Sequence, residues 1–176
     1  EDPEEEHELR SDMDTFNLVL DESTHEFYPG VVTDTYGISA PFLGATLILH
    51  KGDTARFRVT NQLSEIAGMH WNGMDVPPEF DGSPPRVLQP GEVWNVKYKV
   101  IDNASVYVYH PHTMGLIGQQ VNKGAAGLII VRDDEEAQLP LPRTYGVDDF
   151  PVAVQDKKFS PTGQFIFAPY GDSILV

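Results

Sequence analysis

The sequence predicts an all-β domain folded as a sandwich of two sheets, and three observations carry that reading. Short stretches of alternating apolar and polar residues recur from residue 16 onward, as half-buried strands require. Turn signals containing Gly and Pro separate them. Only one stretch suits a helix, and it is short. Many short strands with little helix favour two packed sheets joined by Greek-key connections.

The elements follow in order. Residues 16–20 (Phe-Asn-Leu-Val-Leu) alternate, and 27–36 alternate around a Pro29-Gly30 turn signal. Residues 45–50 read as a mostly apolar strand, Lys51-Gly52-Asp53 as a turn, and 54–61 as a half-exposed strand alternating apolar with polar and charged residues. Residues 76–91 are rich in Pro and Gly and are expected to form a long loop, of the kind that is often functional. Strands are expected again at 92–100, 104–109, the apolar 126–131, 151–155 and 164–167. The helix is expected over 114–123, ended by Gly124 as a left-handed cap. Residues 132–149 read as a charged, proline-containing connector over the surface or toward a neighbour.

The 176 residues, 40% of them hydrophobic, suffice for one domain with a sizeable core. Residues 1–14 are almost wholly polar and acidic and are expected to be a disordered tail, which leaves 15–176 as the folded domain. The formal net charge of −15 argues against nucleic acid or an anionic membrane as partner. No apolar run is long enough to span a bilayer. The chain has no cysteine, which excludes a disulfide framework, a thiolate metal site, a cysteine nucleophile and a His/Cys blue-copper centre within it. The start lacks an initiator Met and shows no signal peptide, so a processed chain is expected; the apolar finish at Ile174-Leu175-Val176 leads us to expect that the polypeptide continues.

Chemistry concentrates in two motifs, His70-Trp71-Asn72-Gly73 and His110-Pro111-His112, each at the end of an expected strand. Side chains at i and i+2 of a strand share a face, so two such strands side by side would gather His70, Asn72, His110 and His112 around one point. Three imidazoles there suit a borderline transition metal such as copper or zinc. A solitary histidine on a strand is ordinarily a hydrogen-bonded interior residue; three at this spacing in two motifs turn the balance to ligation or its evolutionary remnant.

These motifs, with Gly52-Asp53, Asp81-Gly82, Leu88-Gln89-Pro90-Gly91, Tyr109, Gly118-Gln119-Gln120-Val121, Gly124-Ala125-Ala126-Gly127-Leu128, Tyr145-Gly146-Val147-Asp148-Asp149-Phe150-Pro151-Val152 and Val154-Gln155-Asp156-Lys157-Lys158-Phe159, resemble the first cupredoxin domain of bacterial multicopper oxidases, above all the laccase-like copper efflux oxidases. The likeness spans residues 15–176. It implies a cupredoxin-like Greek-key sandwich with one short helix, copper as cofactor, and a place beside further cupredoxin domains of the same protein or a second chain. It also implies a periplasmic or extracellular location and dioxygen reduced to water at a trinuclear copper cluster shared with another domain. On that resemblance His70 matches the ligand of the single type 2 copper, His110 and His112 match ligands of the type 3 pair, and Asp81 matches an acid that assists proton delivery. Asn72 stands where the family has a type 3 histidine, and Thr113-Met114-Gly115 replaces Gln-His-Gly.

An amide oxygen is a poor copper ligand beside imidazole, so Asn72 is expected to satisfy neighbouring backbone rather than a metal. Asp81 precedes Gly82, and its turn role and its proton-relay role are compatible. Three functions follow: a domain of a copper oxidase, active only with the rest of its protein; a ligand-eroded cupredoxin scaffold that binds a protein partner; or a copper-binding module working alone. An unfilled ligand set also favours association, including with a second copy.

Overall fold

The computed structural model describes residues 15–82, 86–168, 171 and 173–175. The expected acidic tail lies outside the described residues. Two sheets face each other. The first has strand order β3-β2-β1-β5-β7, from β1 (Phe16–Tyr28), β2 (Val31–Ile38), β3 (Leu43–Gly44), β5 (Thr54–Asn61) and β7 (Val93–Lys99). The second has the order β4-β9-β8-β6, from β4 (Leu47–His50), β6 (His70–Asn72), β8 (Ser105–His110) and β9 (Gly127–Arg132). The helix α1 (Ile117–Lys123) lies between β8 and β9 in sequence. The short strands β10 (Gln155–Lys157) and β11 (Ser173–Leu175) form a ribbon of their own. The pairings of β1 with β5 and of β4 with β9 are parallel and join strands that are not consecutive in the chain.

The alternation read from the sequence decides which face of each strand turns inward. In β5 Ala55, Phe57 and Val59 are buried, and in β7 Trp94, Val96 and Tyr98 are. Leu47 and Leu49 of β4, Tyr109 of β8 and Ile129 and Val131 of β9 meet them from the second sheet. Trp71 lies at the centre, wholly buried, 4.3 Å from the Phe57 ring and 5.9 Å from Tyr98. Such aromatic pairs add to area burial through their ring quadrupoles.

The Pro29-Gly30 signal turns β1 into β2, with Gly30 at φ 76°. The helix is shorter than the expected 114–123, because residues before Ile117 form a turn hung on the Thr113 carbonyl, which accepts from Leu116 N and Ile117 N at 3.0 and 3.1 Å. Gly124 ends it at φ 116°, as expected, and a Cβ there would meet the Phe42 ring at 2.4 Å.

Two expected strands are corrected. Residues 151–154 are not a strand: Val152 and Val154 stay 62% and 66% exposed, and pairing begins only at Gln155. Residues 164–167 form no strand beyond a bridge between Phe159 and Phe165. Gln164 instead lays its side chain on the open edge of β2, donating from Nε2 to Val32 O and accepting from Asp34 N, each at 2.9 Å.

The connector 132–149 folds back on its own domain. Arg132 bonds Glu136 and Asp149, and Arg143 bonds Glu136 at 2.8 Å. Lys157 is 3% exposed; its Nζ donates to Asn122 O at 2.5 Å, at the C-terminal end of α1, and sits 5.0 Å from the Phe165 ring. Burial pulls its amine down to about 8. Among the described residues no helix is long and apolar enough to cross a membrane.

Candidate metal centre

The sequence places both histidine motifs on the second sheet, and the β6–β8 pairing brings them together. His70 stands opposite His110, Trp71 opposite Tyr109 and Asn72 opposite Val108. Trp71 and Tyr109 turn into the core, wholly buried, so their neighbours His70 and His110 turn to the other face. His112 lies two residues beyond the end of β8. The ring centroids are 5.8 Å apart for His70 and His110, 5.1 Å for His70 and His112, and 6.1 Å for His110 and His112.

Each ring is held differently. His70 Nδ1 lies 3.0 Å from Asp81 O and 3.2 Å from Asp81 Oδ1. His110 Nδ1 lies 2.8 Å from Pro111 O. A carbonyl only accepts, so both rings carry the proton on Nδ1 and leave the Nε2 lone pair for another partner. His112 Nδ1 is buried with no hydrogen-bond partner. A buried polar atom left unpaired costs about 1–3 kcal/mol. Burial, seconded by repulsion from His70 and His112, holds the His110 imidazole below its ordinary value against the Pro111 bond, which keeps it neutral near pH 7. Neutral imidazoles with free lone pairs are the form that binds metal.

Asp81 reaches His70 because of Gly82. At φ 73° this residue lets the loop pass against the backbone of Met69: a Cβ would stand 1.6 Å from Met69 O. The Trp71 indole N–H donates to Phe80 O at 2.9 Å and pins the same loop from the core side. Gly82 was visible in the sequence as half of a turn dipeptide; nothing there signalled its closeness to Met69.

The structure brings together His70, His110, His112 and Asp81. Asn72 is exposed at the far end of β6. The rings border one patch, but among the described residues no group of three or more His, Cys, Asp or Glu is arranged to hold a single metal ion. The three rings, 5.1 to 6.1 Å apart, are neighbouring donors rather than one closed ligand set. Met114 is 80% exposed.

The family described as multicopper oxidase matches residues 20–136. The multicopper oxidase mco of Staphylococcus aureus is 34% identical over 145 residues, 82% of this chain and 32% of that protein. The cell division protein FtsP of Escherichia coli is 37% identical over 137 residues, 78% of this chain and 29% of that protein. Among solved structures, the McoA multicopper oxidase of Aquifex aeolicus superposes with a TM-score of 0.86 at 34% identity, over 95% of this chain and 39% of that one. The laccase of Pediococcus acidilactici superposes with a TM-score of 0.86 at 29% identity, over 92% of this chain and 36% of that one. The chain spans about a third of the length of the curated relatives it matches.

Proposed function

We propose, from the premise that this chain belongs to the multicopper oxidase family, that residues 15–176 are the first cupredoxin domain of a laccase-like oxidase and lend His70, His110 and His112 to a copper cluster that reduces dioxygen to water. The observation that carries this reading is the set of three adjoining imidazoles, two with Nε2 free and one with a buried, unpartnered nitrogen. Those donors fit copper, for which imidazole is a favoured ligand. Their spread fits several ions, each completed by ligands from elsewhere, better than a single ion held by this chain alone.

Copper, when bound, supplies the one-electron redox chemistry. The chain's own residues do the rest. His70, His110 and His112 hold and orient the ions. Asp81 fixes the His70 ring through both its carbonyl and its carboxylate, and on this reading the same acid assists proton delivery to the cluster. The remaining cupredoxin domains complete the site, in this protein or a second chain. Exposed Leu139, Leu141 and Val147 of the connector, with Phe150 and Val152 just after it, offer apolar side chains that suit such a neighbour. A periplasmic or extracellular location belongs to the same reading.

The test is elemental analysis and electron paramagnetic resonance on the full-length protein. Bound copper that is lost in His110→Ala supports the proposal; a wild-type protein that binds none after reconstitution refutes it.

A second reading has its own support. Asn72 removes one imidazole, and a cell division protein is as similar to this chain as the oxidases are. On that reading the domain is a ligand-eroded scaffold for a protein partner, and the same measurement returns folded protein without copper.

A further inference from the structure

We propose that Gln120 is a positioning residue that sets the place of His112 relative to His70. The β6–β8 ladder fixes His70 against His110, residue for residue. It does not reach His112, which follows the last residue of β8 by two and whose Nδ1 bonds nothing. The backbone leaves His112 for Thr113, whose carbonyl accepts from Leu116 N and Ile117 N and so carries the first turn of α1. One turn on, Gln120 N bonds Leu116 O at 2.9 Å. The wholly buried Gln120 side chain then donates from Nε2 to Ile66 O at 2.9 Å and to Glu65 Oε1 at 3.1 Å.

Residues 65 and 66 lie on the lead-in to His70. Ala67, next in line, is bonded both ways to Leu88, at 3.1 and 2.6 Å, and Met69 is wholly buried. Gln120 therefore joins the run-out of one histidine motif to the lead-in of the other, outside the strand pairing. Both partners of Nε2 are acceptors, so the amide orientation is fixed and Oε1 is left buried without a donor. The two bonds from Nε2 offset the cost of that unpaired oxygen, about 1–3 kcal/mol. An amide is worth that cost where direction matters: it holds the helix to residues 65–66 at one angle and one distance.

This inference rests on reading the histidines as copper ligands, and the experiment separates the two. Full-length Gln120→Met and Glu65→Ala would be crystallised free of metal. The expected result is a lengthened or multiple His70–His112 separation, against 5.1 Å in the native chain, while the ladder keeps His70–His110 at 5.8 Å. A smaller shift is expected in Glu65→Ala, which keeps the Ile66 bond and covers the case in which Gln120→Met does not fold. Native separations in the variants that fold would overturn the assignment. Copper titration of the same proteins is the second readout: about tenfold weaker binding in Gln120→Met is expected, the usual effect of losing a group that orients a ligand. If the wild type binds no copper, the oxidase reading fails, and the metal-free separations still decide the role of Gln120.

Discussion

His70 and His110 stand directly opposite each other in the β6–β8 ladder, with their ring planes crossed at 81°. Beside them Trp71 and Tyr109 form the next opposed pair, pointing into the core. A slip of one residue would turn the aromatic pair to the outside and the imidazoles into the interior. The burial of the indole thus fixes which way the histidines look.

The first prediction concerns that anchor. Trp71→Ala leaves a large hollow against Phe57 and Tyr98 and strips Phe80 O of its donor. A loss of about 3–5 kcal/mol is expected from urea unfolding. A loss under about 1 kcal/mol, the range of ordinary substitutions, would show that the sandwich does not depend on this ring.

Gly82→Ala is expected to harm the site more than the fold. The new Cβ collides with Met69 O, and the left-handed backbone at 82 disfavours any side chain, so the loop must shift and carry Asp81 off His70. The expected stability cost exceeds about 1 kcal/mol. Copper retention on dialysis against a chelator should fall with it, and retention equal to wild type would argue against Asp81 as the residue that orients His70.

Asn72→His tests the substituted ligand position. Residue 72 shares the strand face of His70, so an imidazole there adds a donor on the same side. Elemental analysis of the full-length variant is expected to show more copper per chain than wild type. No gain would mean that position 72 faces solvent in the whole protein as it does here.

Lys157 gives a pH dependence with a definite sign. Burial lowers its amine from 10.5 to about 8, so the proton binds the unfolded chain more readily than the folded one. Protonation therefore opposes folding below about 8, and this penalty fades as the pH rises from 8 toward 10.5. Thermal unfolding of wild type and Lys157→Met across that window is the measurement. The variant should lack the rise contributed by this group; parallel curves would show that the amine titrates alike in both states.

Much of the fold was legible because period-two patterns coincide with a buried face. The strand β5 matches its expected bounds, and the Pro29-Gly30 turn and the Gly124 cap stand where turn chemistry put them. The pattern misled at 151–154, where Val152 and Val154 alternate yet face outward: alternation marks a side, not the neighbour that covers it. At the candidate site, His70 stands opposite His110 through the pairing of two strands, which the spacing within each motif does not itself set. Nor does that spacing set the place of His112, which depends on a helix and a buried amide distant in sequence. Gln120 stands in the sequence as part of a helical run and of a motif of the family resemblance, with no sign of its partners at 65 and 66, which come close through tertiary packing alone.

The Gln164 amide on β2 has a consequence for solubility. Its two bonds answer Val32 O and Asp34 N, groups that would otherwise invite a foreign strand. A single side chain thus serves as a stopper, ending the sheet without lengthening it. Replacing it with an aliphatic residue would reopen a docking rail for neighbouring copies, and clumping at high concentration would follow with the native fold still intact.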